Sequence, residues 1–470
     1  MERSITDFSR LLASYFGEEL FASLERSKDI SLLMEEMERF VRKAAAGAMS
    51  MLLEEADAIV RAAPERRREW EIHESSSATN FGTIFGEVYY SRTYYRSKEK
   101  PRDYVFLSDR ILGIGAHDKT DALLDARMIE EAVDLAYRKR GKKASRAIEF
   151  TGQTVMNKIR KLGPVEYPIV SLEKKKEVEV LYINADEDHV ASQVRGGEEP
   201  RLVYVYEGMQ LATKELPEDG RPRMELLGKR SFSGVYENYE DLWLKVADYI
   251  EKTYDTEKIR RIYLSGDGAP WIRGGANWID KSVYVVDKYH LSKYVMLAGA
   301  HVQDGVNRIW AAIHSEDEDY FDIVMDTLVS ATESRSKIKE INNAKRYIKG
   351  VWDTLKYHKE ADYIGCSAEG HVSHILSARL SSRPMGWSKE GVDCMARLRV
   401  FRENGGNIYQ QILKKKEHLQ FEIKITKKAE LIRKMEQRAA GLELTHNLSV
   451  INYGKVTGLN SALKMIRGIV

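Results

Sequence analysis

The chain has 470 residues, 31% of them charged and 43% apolar, with a formal net charge of +2. That is a soluble globular balance, too long for one ordinary core, so two or three domains are expected. No run of about 18 apolar residues predicts a membrane span, the N-terminus lacks a signal-peptide pattern, and two cysteines, Cys366 and Cys394, argue against a disulfide framework or a cysteine-rich zinc site; the chain reads as cytoplasmic.

The first region, residues 1–80, is expected to be helical. Apolar residues recur at helical spacing at Phe8, Leu11, Leu12, Tyr15 and Phe16, again from Leu32 to Val41, and again from Met51 to Val60. Pro64 and Arg66 to Arg68 end the pattern, and Ser75 to Asn80 reads as a linker. Gly82 to Arg96 is rich in aromatic and β-branched residues and reads as two short strands broken at Gly86.

Residues 121–162 return to helical periods. Lys142 to Arg160 has the outline of a helix-turn-helix, with Gln153, Thr154, Asn157 and Lys158 on the candidate reading face and Lys142, Lys143 and Arg146 in the basic stretch before it. An ordinary helix pair is the alternative. Residues 81–170 are thus a candidate DNA-binding region. Segment 138–161 carries nine basic side chains against one acidic, and 379–470 carries 18 against eight, whereas 1–80 carries 11 against 16. Basic segments flanking a more acidic centre suit a protein that grips a polyanion.

From residue 176 the period changes. Strands are expected at 178–185, 189–194 and 201–207, then a helix over 239–253, a strand ending at Asp267, and a strand over 282–287. This order predicts an α/β fold, a mixed sheet with helices on its faces. Residues 288–362 read as helical and polar, 405–439 as basic and helical, and 447–470 as short and mixed.

Three acids stand at the ends of these elements. Asp186 closes the first strand, with Asp188 as the other choice for that position. Asp267 sits between Gly266 and Gly268, which let the backbone bend and a ligand approach. Glu369 follows Ser367, a candidate helix N-cap. Three converging carboxylates would make a hard-oxygen site for Mg²⁺ or Mn²⁺. Asp287 and His290, three apart at a helix start, would face one side. Arg379, Arg383 and Lys389 suit phosphate oxygens, and Trp387 could stack on a base.

Tyr182-Ile-Asn-Ala-Asp186, Tyr263-Leu-Ser-Gly-Asp-Gly268, Asp287-x-x-His290 and Ser367-Ala-Glu-Gly-His371 with Ser381-Ser-Arg-Pro-Met-Gly-Trp387 together resemble the ISLre group of bacterial insertion-sequence transposases, relatives of the Mutator-like DDE transposases. The resemblance runs over essentially the whole chain. It implies an RNase H-like catalytic core with the acid triad Asp186, Asp267 and Glu369, accessory Asp287 and His290, and a helical insertion between the second and third acids. Glu187 departs from the pattern, where a glycine after the first acid would be more familiar. On this reading the core spans 171–300 and 363–400, the insertion 301–362, and a basic helical region 401–470.

The expected function is metal-dependent cleavage and strand transfer at insertion-sequence ends. Two Mg²⁺ or Mn²⁺ ions would be held by the triad, one activating water or a 3′-hydroxyl and the other stabilising the leaving oxygen. The expected partners are double-stranded DNA, both terminal inverted repeats and target, and a homodimer or larger assembly on it. The alternatives are a hydrolytic nuclease on the same fold and an inactive, DNA-binding derivative of a transposase.

Overall fold

The computed structural model describes residues 29–134, 148–193, 196–212, 224–383 and 385–415, with a few isolated positions besides. The expected helices before residue 29, the basic stretch with Lys142, Lys143 and Arg146, and the C-terminal segments beyond 415 lie outside the described residues.

The N-terminal part is a helix laid on a β-ribbon. α1 (Ile30–Ala62) starts at Asp29, whose side chain accepts from the Ser31 amide. Its Phe40, Ala44, Leu53 and Val60 are buried, and it packs on β2 (Gly86–Ser97). Buried Asp57 ties the two together, accepting from the Thr93 amide at 3.0 Å and from Ser108 Oγ at 2.9 Å. A short α2 (Pro64–Glu69) leads into β1 (Trp70–Thr83).

Here the sequence reading needs correction, because Ser75 to Asn80 is strand rather than linker. β1 pairs antiparallel with β2 from Trp70↔Ser97 to Thr83↔Gly86, with irregular register between Ile72 and Ser77. The serines fall on a largely exposed part of the ribbon, so backbone pairing holds them without an apolar alternation to mark it. β3 (Tyr104–Phe106) completes this sheet, followed by α3 (Leu107–Ile111), α4 (Ala122–Asp134) and α5 (Gly152–Leu162).

The central sheet has five strands: β4 (Val180–Glu187), β5 (Arg201–Tyr206), β8 (Arg230–Gly234), β9 (Arg261–Gly266) and β10 (Ser282–Val286). A small hairpin, β6 (Gly208–Leu211) with β7 (Met224–Leu227), lies between β5 and β8 in sequence. The spatial order is β10-β9-β4-β5-β8. β5 runs antiparallel to β4 and β8, whereas β9 and β10 run parallel to β4.

Two differences from the expected strands stand out. In place of the strand expected over 189–194, the described residues 189–193 make only isolated bridges, Val190 to Glu198 and Ser192 to Trp387, and the edge strand β8 was not anticipated. Its Arg-Ser-Phe-Ser-Gly sequence is too short and polar to announce a strand. Its outer edge is covered instead by a side chain: the Ser231 amide donates to Asn404 Oδ1 and Asn404 Nδ2 donates to the Ser231 carbonyl.

Helices cover both faces. On one face, Leu181, Ile183, Val203 and Leu264 pack with α6 (Glu240–Thr253) and with the four helices α8 (Lys288–Gly299), α9 (Gly305–Ser315), α10 (Glu318–Ser330) and α11 (Arg335–Gly350). Between β9 and β10 lies the short α7 (Pro270–Arg273). The segment after residue 288 is therefore helical, as expected, but it is not polar throughout: Leu291, Ile309, Phe321, Ile341 and Ile348 join the apolar core on this face of the sheet. On the other face, Tyr182, Tyr204, Tyr206, Tyr263 and Val285 pack toward α4, α5 and the C-terminal helices. Those helices are α12 (Ala368–Val372), a π turn (Ser373–Ser377), α13 (Ala378–Leu380), α14 (Lys389–Glu403) and α15 (Ile408–Lys415). Among the described residues no helix is long and apolar enough to cross a membrane.

Candidate functional site

Strand register places the acids. β4 and β9 pair in parallel from Val180↔Arg261 to Asn184↔Ser265, and β9 with β10 from Ile262↔Ser282 to Gly266↔Val286. Two further steps of the first register set Asp186 beside Asp267, and one further step of the second sets Asp287 beside Asp267. The second step is made in the backbone, because the Asp287 amide donates to the Gly266 carbonyl at 2.8 Å. Neighbouring strands are about 4.8 Å apart and in-register side chains share a face, so the three aspartates form one row along the carboxyl edge of the sheet. Their parity is that of Tyr182, Tyr263 and Val285, so they face the side covered by α12, which packs on β4. Glu369 is in the first turn of that helix.

The row needs close backbone approach. A Cβ on Gly266 would stand 2.7 Å from the Ala185 carbonyl and 2.8 Å from Ile272 Cδ1, so only glycine brings β9 this near to β4 at its last residue. Gly268 has φ +99°, a conformation that side chains disfavour. Gly266→Ala is expected to cost about 1–3 kcal/mol of stability by overpacking and to displace Asp267; denaturant unfolding of the two proteins measures it.

Asp186 is buried, 7% exposed, and one carboxylate oxygen accepts from the Glu187 amide at 2.9 Å. Burial, and then the negative charges of Asp267 and Glu369, push its carboxyl up to about 7. Asp267 is half-buried and accepts from the Ala269 amide at 2.8 Å. Glu369 is exposed. Asp287 is buried and caps α8, accepting from the Tyr289 amide at 3.1 Å, while its other oxygen lies 3.2 Å from His290 Nδ1. That hydrogen bond is the main reason the His290 pKa is raised, and the charges of Asp267 and Asp186 raise it further. Cys366, just before α12, has its thiol pushed up by burial and by Asp287.

The donor set consists of carboxylate oxygens, which suits a hard divalent cation. Among the described residues no three His, Cys, Asp or Glu side chains are already close enough to grip one ion. The negative charges of Asp267 and Glu369 reach Asp186 and add to the effect of its burial in raising its pKa.

The other anticipated residues separate. Gln153 and Asn157 are exposed on α5 and hydrogen-bonded to each other at 2.9 Å. Lys158 turns inward instead, pairing with Asp125 at 2.9 Å, so it is not on a reading face. Arg383 is exposed. Arg379 and Trp387 are buried, at 3% and 6% exposure, which corrects their expected contact with DNA. The Arg379 guanidinium is stacked between Tyr137 and Trp387, its Nε donating to the Ala132 carbonyl, and Trp387 Nε1 donates to the Leu380 carbonyl. Burial and the cation–π stack, not hydrogen bonding, keep the guanidinium from a nucleotide: Arg379 Nη1 and Nη2 are buried without a hydrogen-bond partner among the described residues. Ser367 occupies the N-cap position of α12, but its hydroxyl makes no capping bond; it meets Tyr204 Oη at 2.8 Å.

Asp188 is not part of the acid row. It is buried and accepts from Ser377 Oγ and Ser381 Oγ. Glu187 points to the opposite face, where Trp271 Nε1 donates to it. Sequence reading missed the Asn184, Tyr204, Ser377 and Ser381 contacts; the alternation that aligns Tyr182, Asn184 and Asp186 on one face was the available signal for the first of them.

A model of the family described as UPF0236, an uncharacterised protein family, matches residues 25–417. A UPF0236 protein of Caldanaerobacter subterraneus subsp. tengcongensis is 38% identical over 465 residues, covering 98% of this chain and 96% of its own length. Another from the same bacterium, whose name joins eleven locus designations, is 37% identical over 448 residues, covering 94% of this chain and 93% of itself. A UPF0236 protein in the vanSb 3′ region of Streptococcus gallolyticus is 24% identical over 404 residues, covering 81% and 85%.

Proposed function

The chain belongs to the UPF0236 family, and from that premise we propose that it is a DDE-type DNA transposase with Asp186, Asp267 and Glu369 as its catalytic acids. The reading is carried by the in-register row of Asp186, Asp267 and Asp287 under the helix that bears Glu369. The sheet supports it too: a first strand at the centre, β5 antiparallel to it and to β8 on one side, and two strands parallel to it on the other, fits an RNase H-like core. The helical unit of α8 to α11 falls between the second and third acids in sequence, where such a core would carry an insertion. One relative is assigned to eleven loci of one bacterium, a distribution that self-copying DNA would leave.

Asp186, Asp267 and Glu369 would hold Mg²⁺ or Mn²⁺. The bound ions would supply Lewis acidity at the scissile phosphate and a deprotonated nucleophile near neutral pH. A bound cation would favour the ionised form of Asp186, its positive charge opposing the burial and the neighbouring negative charges that raise the pKa. His290, oriented by Asp287, presents a proton-bearing imidazole beside the row, suited to a phosphate oxygen or the entering hydroxyl. Gly266 and Gly268 leave room for the sugar-phosphate backbone over Asp267.

The test is incubation of the purified full chain with DNA carrying the sequences that flank its gene, with Mg²⁺, with Mn²⁺ and with chelator. Nicks at fixed positions that need the metal, and joining of pre-cleaved ends to a second duplex, are expected. Cutting without joining would favour the hydrolytic nuclease, and tight binding with no product would favour the inactive derivative. Binding itself should weaken steeply with salt through phosphate contacts.

A further inference from the structure

Resting on the reading of Asp186, Asp267 and Glu369 as one metal site, we propose that Asp188 is the positioning residue that fixes the Glu369 helix against the end of β4. Glu369 has little to hold it. Its own helix is one short turn of five residues, running straight into a π turn, and its carboxylate is exposed with no hydrogen bond or ion pair among the described residues. Such a segment does not set a side chain to the few tenths of an ångström that ion coordination requires. The precision comes from outside the helix.

Two attachments supply it, one on each side of Glu369. At the start of α12, Ser367 Oγ meets Tyr204 Oη at 2.8 Å. The Asn184 amide satisfies its neighbours when its oxygen accepts from Tyr204 Oη and the Ser367 amide, both at 3.0 Å, and its nitrogen donates to the Ile183 carbonyl at 3.1 Å. On the far side, Ser377 Oγ and Ser381 Oγ both donate to Asp188 Oδ1, at 3.0 Å and 2.9 Å. Asp188 is 7% exposed, and its own amide donates to the Pro200 carbonyl at 3.1 Å. Asn184, Asp186 and Asp188 alternate along one strand and its immediate extension. A single stretch of backbone therefore carries the first acid and both clamps on the third.

The cost of this clamp marks it as more than packing. Asp188 Oδ2 is buried without a hydrogen-bond partner among the described residues. An idle oxygen on a buried carboxylate destabilises the fold. An asparagine there would be cheaper to bury but would give two hydroxyl donors a weaker acceptor, since bonds to an ionised oxygen are roughly twice as strong. The charge is retained where it tightens the helix that carries Glu369. Arg399 braces the same π turn from the other side, donating to the His374 and Ile375 carbonyls.

The experiment is Mn²⁺ titration of the full chain by calorimetry, with DNA affinity measured in parallel. Asp188→Asn is expected to weaken Mn²⁺ binding by about 10–100-fold, the usual effect of removing an outer-shell contact, with DNA affinity unchanged. Ser377→Ala/Ser381→Ala, which leaves the carboxylate in place, should do the same and decides the matter if the Asp188 variant does not fold. In a Glu369→Gln background the further change Asp188→Asn should cost no more Mn²⁺ affinity, because a clamp acting only through Glu369 has nothing left to position. Wild-type Mn²⁺ affinity in both the Asp188→Asn and the double-serine proteins would overturn the assignment, as would full additivity with Glu369→Gln. If the wild-type chain takes up no Mn²⁺, or Glu369→Gln leaves its affinity unchanged, the metal-site reading falls and the clamp falls with it.

Discussion

Asp267→Asn is expected to abolish metal-dependent DNA cleavage while leaving DNA binding intact. The substitution keeps the shape of the side chain and can keep the bond to the Ala269 amide through the remaining oxygen, so the turn between Gly266 and Gly268 should survive. It removes the central charge of the row, the one with a neighbour on each side. Charge stabilisation by a bound cation is worth several kcal/mol in such reactions. A loss of about 4 kcal/mol corresponds to roughly 1,000-fold in rate, and a nicking assay would read this as no product. Nicking at the wild-type rate would remove Asp267 from the mechanism.

The second large effect concerns stability and carries the opposite sign. Asp186→Asn is expected to make the metal-free protein more stable at pH 8 while destroying its activity. The Asp186 carboxyl is raised from 3.8 to about 7 in the folded chain, chiefly by burial. Between those values the folded state holds a proton that the unfolded state has lost, so stability falls as pH rises from about 4 to about 7 and stays lowered above. Integrated over that interval the penalty approaches about 4 kcal/mol. Asparagine cannot ionise and escapes it. Thermal unfolding at pH 5 and pH 8 checks this: the wild-type midpoint should drop between the two and the variant's should change less. Mg²⁺ should restore the wild-type protein at pH 8 and leave the variant largely unmoved. An Asp186→Asn protein less stable than wild type at pH 8 would show that the carboxylate is not paying an electrostatic cost. A catalytic group that destabilises its own fold is a familiar trade-off.

Asp186 and Asp267 stood out because the two clearest strands end near them; the glycines around Asp267 suggested a bend and room for a ligand, and at Gly266 the fold uses the space for close packing on Ala185 and Ile272. The parallel and antiparallel halves of the sheet could not be read, since pairing depends on contacts far apart in sequence. β8 was invisible because its five residues are short and polar, and its outer edge is covered by Asn404, a residue more than 170 positions away. Arg379 and Trp387 looked like ligands for DNA because sequence shows a residue's chemistry without its direction. In the fold they stack on each other and on Tyr137. The choice between Asp186 and Asp188 also needed the fold: both point the same way by alternation, and only the two serine hydroxyls on Asp188 assign it a different task. Ser75 to Asn80 misled because a ribbon exposed to solvent need not alternate apolar and polar residues.

The most direct measurement is anomalous diffraction from crystals of the full chain grown with Mn²⁺. The expected result is metal density at the carboxyl edge of the sheet, one or two peaks with any pair about 3.5–4 Å apart, coordinated by oxygens of Asp186, Asp267 and Glu369. Density elsewhere, or a carboxyl edge with those three side chains turned apart and free of metal at saturating Mn²⁺, would contradict it.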